Sequence, residues 1–278
     1  MPIHDELGTR MKEFYESVPK TKLMRRTPVA IRIDGKAFHT FTRGFSKPFD
    51  DVLISAMQDT MKYLCKNIQG CVLGYTQSDE ITLILVDYKW LNSSAWFNYE
   101  VQKMCSIAAS MATMAFNKAF HRAVEDADLF WKIGWTPQSV EIQQKHQKYM
   151  EILRAAEDRG AMFDARCFNI PKEEVTNLVY WRQLDATRNS IQMVGQANFS
   201  HKELQGKSCE KIKEMLITEK GISWENFHPM YKHGSCCIKV TTEIDGVTRS
   251  SWEIDKNIPL FVGEGREYIE SLIQCQEE

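Results

Sequence analysis

The sequence predicts an α+β chain built on a split βαββαβ sheet, the ferredoxin-like outline, with a helical insertion and a C-terminal extension. Two observations carry the prediction. The apolar pattern runs strand, helix, strand, strand, helix, strand. Two acidic signatures also stand where strands meet turns, Ile31-Arg32-Ile33-Asp34-Gly35-Lys36 and Gly74-Tyr75-Thr76-Gln77-Ser78-Asp79-Glu80.

Residues 3–17 have a helical pattern, with Leu7, Met11, Phe14 and Tyr15 on one side. The β-branched run from Pro28 to Ile33 gives the first strand. Pro48 to Leu64 follows as a helix opened by Asp50-Asp51, with Val52, Leu53, Met57, Met61 and Leu64 at helical spacing. Cys71–Tyr75 and Ile81–Val86 form a hairpin around Gln77-Ser78-Asp79-Glu80. The Met- and Ala-rich stretch 94–121 reads as a core helix, and 166–170 as a strand closed by Pro171. Residues 1–122 thus hold the first part of the palm-like core. Residues 123–162 form a charged insertion, polar, helical in propensity and solvent-exposed. Residues 163–240 hold the last core strand and a helical region, with helices at 172–192 and 208–218. Residues 241–278 are an extension, with an extended segment at 252–262.

At 278 residues with 43% hydrophobic and 26% charged side chains, the chain has the make-up of a folded protein with a sizeable core. No stretch approaches the roughly 18 uncharged apolar residues of a membrane span, and no secretory signal opens the sequence. Eight cysteines without CxxC pairing favour reduced thiols in a cytoplasmic protein over disulfides or a zinc site. The net charge of −2 does not announce a nucleic-acid binder, but ten basic residues against three acids lie between 10 and 47. A basic stripe beside paired carboxylates suits a triphosphate or an RNA end.

The candidate chemistry centres on the acidic signatures. A carboxylate at a strand end and another in a neighbouring hairpin can converge on a divalent cation. Mg²⁺ accepts a few carboxylate oxygens and keeps its other positions for water and phosphate. A pair of such ions can clamp both oxygens of a phosphoryl transfer. A metal-dependent nucleotidyltransferase is therefore expected. Asp34 precedes Gly35, which lets the backbone turn sharply and approach ions and phosphates. Asp79 and Glu80 are neighbours, which a regular strand sends to opposite faces, so Asp79 is the expected ligand and Glu80 its support. Ser78 could donate to a phosphate oxygen. Lys36, His39, Arg43 and Lys47 follow the first carboxylate in one loop, and Lys103 is an isolated charge on the apolar helix.

Taken together, Arg32-Ile33-Asp34-Gly35-Lys36-Ala37-Phe38-His39 and Gln77-Ser78-Asp79-Glu80 resemble the tRNA-His guanylyltransferase superfamily. In particular they resemble its guanylyltransferase-like branch of 3′-to-5′ RNA polymerases. The resemblance continues through Phe45-Ser46-Lys47-Pro48-Phe49-Asp50, Lys103 with Ala109-Ser110, and Phe163-Asp164-Ala165-Arg166. It takes in Trp181-Arg182-Gln183, Leu204-Gln205-Gly206 and Pro229-Met230-Tyr231-Lys232-His233-Gly234. It implies a catalytic group of Asp34, Asp79 and Glu80, and two Mg²⁺ ions held by Asp34, the Gly35 carbonyl and Asp79. It implies nucleotide binding by Lys36, Ala37, Phe38, His39, Lys47 and Ser78, and activation of the RNA 5′ end at Lys103. The substrates implied are tRNA with ATP, GTP and other nucleoside triphosphates, and the assembly implied is a homotetramer.

One departure matters. The eukaryotic tRNA-His enzymes carry His-x-x-Asn-Leu-Tyr-Asn after Trp-Arg-Gln, whereas this chain places Thr187 at the histidine and lacks Leu-Tyr-Asn. Template-directed repair of 5′-truncated tRNA through an adenylylated 5′ end is favoured over dedicated addition of G to tRNA-His. Two other readings compete. A nucleotide cyclase would need a Gly-Gly-Asp/Glu hairpin, which is absent here. A non-catalytic RNA-binding module would show exposed aromatics on its sheet face, which Ile81–Val86 does not.

Overall fold

The computed structural model describes residues 6–134, 139–244 and 247–275. In chain order the elements are α1 (Glu6–Met11), continued by a π-helical turn at Lys12–Glu16, then β1 (Val29–Gly35), α2 (Phe38–Phe41), α3 (Asp51–Asn67), β2 (Cys71–Gln77) and β3 (Glu80–Leu85). Next come α4 (Val101–Gly134), α5 (Val140–Arg159), β4 (Phe163–Asn169), α6 (Val175–Asn198), α7 (His201–Leu204) and α8 (Cys209–Lys220). The chain finishes with α9 (Pro229–His233), β5 (Ser235–Ile244), β6 (Val247–Asp255) and α10 (Glu267–Glu270). One sheet runs in the order β4-β1-β3-β2-β5-β6, antiparallel throughout. Its first four strands are the split βαββαβ unit of a palm-like α+β fold.

Side-chain alternation on β1 divides the molecule into layers. Ile31 and Ile33 enter a core with Met57, Met61 and Leu64 of α3 and Phe116 and Phe120 of α4. Ala30 goes to the opposite face and packs with Ile84, with Val175 and Val179 of α6, and with Phe261 and Ile269 of the C-terminal segment. Arg32 and Asp34 follow Ala30 to that second face, where the sheet end is polar. Gln183, buried on α6, fastens the C-terminal segment: its amide donates to the Pro259 carbonyl (2.9 Å) and its oxygen accepts from the Phe261 amide (2.9 Å).

Several elements differ from the sequence expectation. The long helix begins at Val101 rather than 94, because Phe97 and Asn98 adopt left-handed backbone (φ 49° and 52°) just before it. It then runs unbroken past position 123. The polar stretch after it is helical but not wholly exposed: α5 buries Met150, Leu153 and Ala156. Strand β5 was not foreseen, since its one apolar run is Cys236-Cys237-Ile238 and the Thr241-Thr242-Glu243 stretch after it is polar and exposed. It pairs with β2 and carries β6, which ends at Asp255 rather than continuing to 262. On α1 and its π turn, Leu7, Met11, Phe14 and Tyr15 are all exposed; residues 3–5 of that expected helix lie outside the described residues.

Replacing Gln183 with alanine leaves the Pro259 carbonyl and the Phe261 amide without partners, and should lower stability by about 2–4 kcal/mol. Urea unfolding of Gln183→Ala beside wild type measures this; equal midpoints would show that the segment is held by apolar packing alone.

Candidate active site

The site is built by the register of β1 against its neighbours. Asp34 is the Cα partner of Glu80 on β3 and of Asp164 on β4, and Arg32 is the partner of Thr82 and Arg166. Cross-strand partners share a face, so three carboxyl-bearing residues stand in one row. The hairpin between β2 and β3 brings a fourth. Ser78 takes a left-handed conformation (φ 50°), and its hydroxyl donates to the Asp79 carboxylate at 3.0 Å. The Asp79 carbonyl accepts from the Gly35 amide at 3.1 Å, locking the hairpin tip to the end of β1. Gly35 is required there on steric grounds, because a Cβ would be driven into the Phe38 ring.

After Gly35 the chain reverses through left-handed Ala37 (φ 56°) into α2, whose Phe38 and Phe41 are buried. These rings pack with Phe45, Phe116, Phe120 and Phe163 at centroid distances of 5.2–5.8 Å. The loop that follows is held by Asp50, which caps α3 by accepting from the Leu53 amide (3.1 Å) and also accepts from the Ser46 amide (2.9 Å). The hydroxyl of Tyr149 on α5 donates to the same carboxylate at 2.8 Å. Between these anchors lies a cavity of about 510 Å³. Its lining includes Asp34, Gly35, Ala37, Phe38, His39, Lys47, Ser78 and Asp79, all foreseen as site residues, together with Asp50, Met193 and Gln196.

Three expected residues lie outside that lining. Lys36 is exposed and its amide donates to the Met162 carbonyl (2.8 Å). Lys103 is exposed on the first turn of α4, with its ammonium 4.9 Å from the centroid of the Phe97 ring. Glu80 faces the same side as Asp34 but is taken up by arginines: Arg182 donates to both its oxygens (2.8 and 3.2 Å) and Arg32 lies 3.4 Å away. Arg182 is itself buried and also pairs with Asp185 at 3.1 Å. Met193, Gln196 and the Arg182 anchor were missed by sequence reasoning. Trp181-Arg182-Gln183 was the one available signal, and it carried no role.

The electrostatics favour a cation. Burial, followed by the charges of Glu80 and Asp164, raises the Asp34 carboxyl above its ordinary range, against the pull of Arg166 and Arg32. Burial also raises Asp79; the Ser78 hydrogen bond opposes it, while the charges of Asp34 and Glu80 add to it. Among the described residues no three His, Cys, Asp or Glu side chains form a metal cage by themselves. Two under-neutralised carboxylates beside a nucleotide-sized cavity nevertheless fit Mg²⁺, whose remaining positions go to phosphate and water. The fit lies in the donor chemistry: hard, acceptor-only oxygens with surplus negative charge.

A palm-like sheet with paired carboxylates at the mouth of such a cavity defines a nucleotidyltransferase. The Thg1 family model, tRNAHis guanylyltransferase, matches residues 8–171, and the chain belongs to that family. Among solved structures, a bacterial tRNA(His) guanylyltransferase (Thg1)-like protein in complex with ATP is 38% identical with a TM-score of 0.78, over 97% of this chain and 100% of that one. The corresponding complex with GTP is 36% identical with a TM-score of 0.73, over 96% and 99%. The tRNA(His) guanylyltransferase of Saccharomyces cerevisiae is 25% identical over 221 residues, 74% of this chain and 80% of that protein. Protein R259 of Acanthamoeba polyphaga mimivirus is 28% identical over 262 residues, 89% and 82%.

Two outcomes follow from the charges. A carboxyl raised in the folded state stabilises the fold only at low pH, and that contribution is lost as pH rises through the raised value. With divalent cations chelated, Asp79→Asn should therefore melt above wild type at neutral pH, and the gain should vanish below the ordinary carboxylate range. Melting curves across pH test this; no gain at neutral pH would mean that the carboxylate charge is already compensated. Glu80→Ala strips Arg182 of its main partner and should cost about 2–3 kcal/mol, since Asp185 remains. Chemical denaturation measures it, and an unchanged midpoint would deny Glu80 its anchoring role.

Proposed function

We propose that this chain adds nucleotides to the 5′ end of tRNA in the 3′-to-5′ direction, and that its task is template-directed repair of 5′-truncated tRNA. The observation that carries the reading is the placement of Asp34 and Asp79 in the wall of the same cavity as Ala37, Phe38, His39, Lys47 and Ser78. The ATP and GTP complexes of the bacterial relatives support nucleoside triphosphates as occupants.

In this reading Asp34, Asp79 and the Gly35 carbonyl hold two Mg²⁺ ions. When bound, these ions supply positive charge to the reacting phosphates. The protein contributes position. Lys47 offers an ammonium and Ser78 a hydroxyl donor to the triphosphate, while buried Phe38 and left-handed Ala37 set the floor of the cavity. Lys36 and Lys103, both exposed, receive the RNA 5′ phosphate and its leaving groups. The chemistry has two stages. An oxygen of the RNA 5′ phosphate attacks the α-phosphorus of ATP and pyrophosphate leaves. The 3′-hydroxyl of the incoming triphosphate then attacks the activated 5′ phosphorus, losing its proton as AMP departs.

Repair is favoured over dedicated G addition by Thr187. Where the eukaryotic enzymes place a histidine, its hydroxyl donates to the Gln183 carbonyl (2.9 Å) and hydrogen-bonds His233 Nδ1 (3.0 Å), so it is fully occupied inside the fold. Burial also lowers the His233 imidazole below its usual value, which keeps it neutral. No helix among the described residues is long and apolar enough to cross a membrane, and the eight cysteines are free. Reduced thiols support a cytoplasmic setting. The exposed Leu7, Met11, Phe14 and Tyr15 are the kind of surface that a homotetramer would cover.

The test is a 5′-labelled, monophosphorylated tRNA lacking its first nucleotide, incubated with Mg²⁺, ATP and all four triphosphates. Growth at the 5′ end should follow the opposing base and change when that base is changed; Asp34→Ala and Asp79→Ala should abolish it. Addition of G whatever the opposing base would instead indicate a tRNA-His guanylyltransferase. A folded protein giving neither extension nor an adenylylated intermediate would overturn the reading.

A further inference from the structure

Near the carboxylate row, on the sheet face under α6, stands an aromatic side chain that the mechanism above does not use. Trp181 is 51% exposed, while its neighbour Arg182 is 5% exposed. The Arg182 guanidinium carbon lies 3.9 Å from the Trp181 ring centroid and that of Arg32 lies 5.3 Å away. Both guanidiniums are tied to Glu80. The indole is therefore positioned by charges that are themselves fixed to the residue next to Asp79. A large aromatic held in this way with half of it in water presents a fixed apolar ring face to a ligand.

The surroundings say what kind of ligand. Arg32 lies two residues before Asp34 on the same face of β1, a separation of about 7 Å along the strand. Arg166 stands opposite Arg32 on β4, its side chain 57% exposed beyond its pair with Asp164. Arg188 lies two helical turns along α6 from Trp181, its side chain 60% exposed and paired with Asp185. An exposed ring bordered by exposed guanidiniums, one nucleotide's span from the reacting carboxylates, matches a nucleic-acid end rather than an apolar protein surface. Bases stack on aromatic rings without regard to sequence, because every base has a π-face, and arginines serve the phosphates.

We propose that Trp181 is the stacking platform for the 5′-terminal base of the RNA, with Arg166 and Arg188 on the neighbouring phosphates. The proposal rests on the 5′-addition reading and deepens it. The platform holds whichever base the truncated end presents, while the opposing strand selects the nucleotide to be added. A sequence-tolerant hold of this kind is what templated repair of different tRNAs demands.

The test uses the full-length protein and a monophosphorylated acceptor-stem duplex carrying 2-aminopurine as its 5′-terminal base. Wild type should quench the fluorophore on binding. Trp181→Ala should abolish the quench and raise the KM for RNA about 10- to 100-fold, with ATP affinity and melting temperature unchanged. Trp181→Phe should keep most of the quench and a KM near that of wild type. Equal quenching and equal KM in Trp181→Ala would overturn the proposal. So would a change of oligomeric state with RNA binding intact, which would make Trp181 a subunit contact. The quench needs no turnover: a wild type that quenches but never extends the duplex sinks the activity reading alone, whereas normal extension with no effect of Trp181→Ala sinks the platform alone.

Discussion

The site depends on one pairing, the antiparallel register of β1 against β3. Ile31 and Ile33 are committed to the core by α3 and α4, so Arg32 and Asp34 have only the opposite face to occupy. Slipping that register by one residue would bury the charges and expose the isoleucines. The same register sets Glu80 beside Asp34 and brings the Asp79 carbonyl to the Gly35 amide. Both acidic signatures are thus joined by backbone hydrogen bonds before any ligand arrives.

Around this pairing the chain balances surplus charge unevenly. Glu80 is neutralised within the protein by Arg182 and Arg32, which leaves Asp34 and Asp79 as the carboxylates short of a partner. Adjacent acids in the sequence therefore do different work. One turns inward to organise a buried arginine on α6, and the other faces a cavity. A division of this kind follows from the hairpin: left-handed Ser78 turns the chain so that Asp79 sits at the tip while Glu80 begins the strand.

Much of this was legible in the sequence because its causes are local. Strand alternation, the cap at Asp50 and the Asp-Gly turn are each decided within a few residues, and they located β1, α3, the hairpin and the two acidic signatures, whereas Ala37 and Phe38 entered only through the family resemblance. What was not legible depends on contacts between distant segments. Met193 and Gln196 complete the cavity from a helix more than a hundred residues away, and nothing in their local pattern distinguishes them from surface positions. Strand β5 is held mainly by its partners rather than by its own polar composition. The start of α4 was misplaced because Phe97 and Asn98 take a left-handed turn between buried Trp96 and Tyr99, a contact pattern set by distant segments rather than by the local sequence. The buried face of α5 was masked by its high charge content.

The bond from Tyr149 to Asp50 has a consequence for the thermodynamics of ligand capture. The loop between α2 and α3 is clamped by buried Phe45 at one end and at the other by a carboxylate that also grips α5. A ligand entering there meets a cradle already fixed in shape, so little conformational entropy is surrendered on arrival. The helical hairpin of α4 and α5 then acts as a brace. It touches the loop between α2 and α3 from behind, and its own stiffness becomes part of the affinity of a cavity it does not itself line.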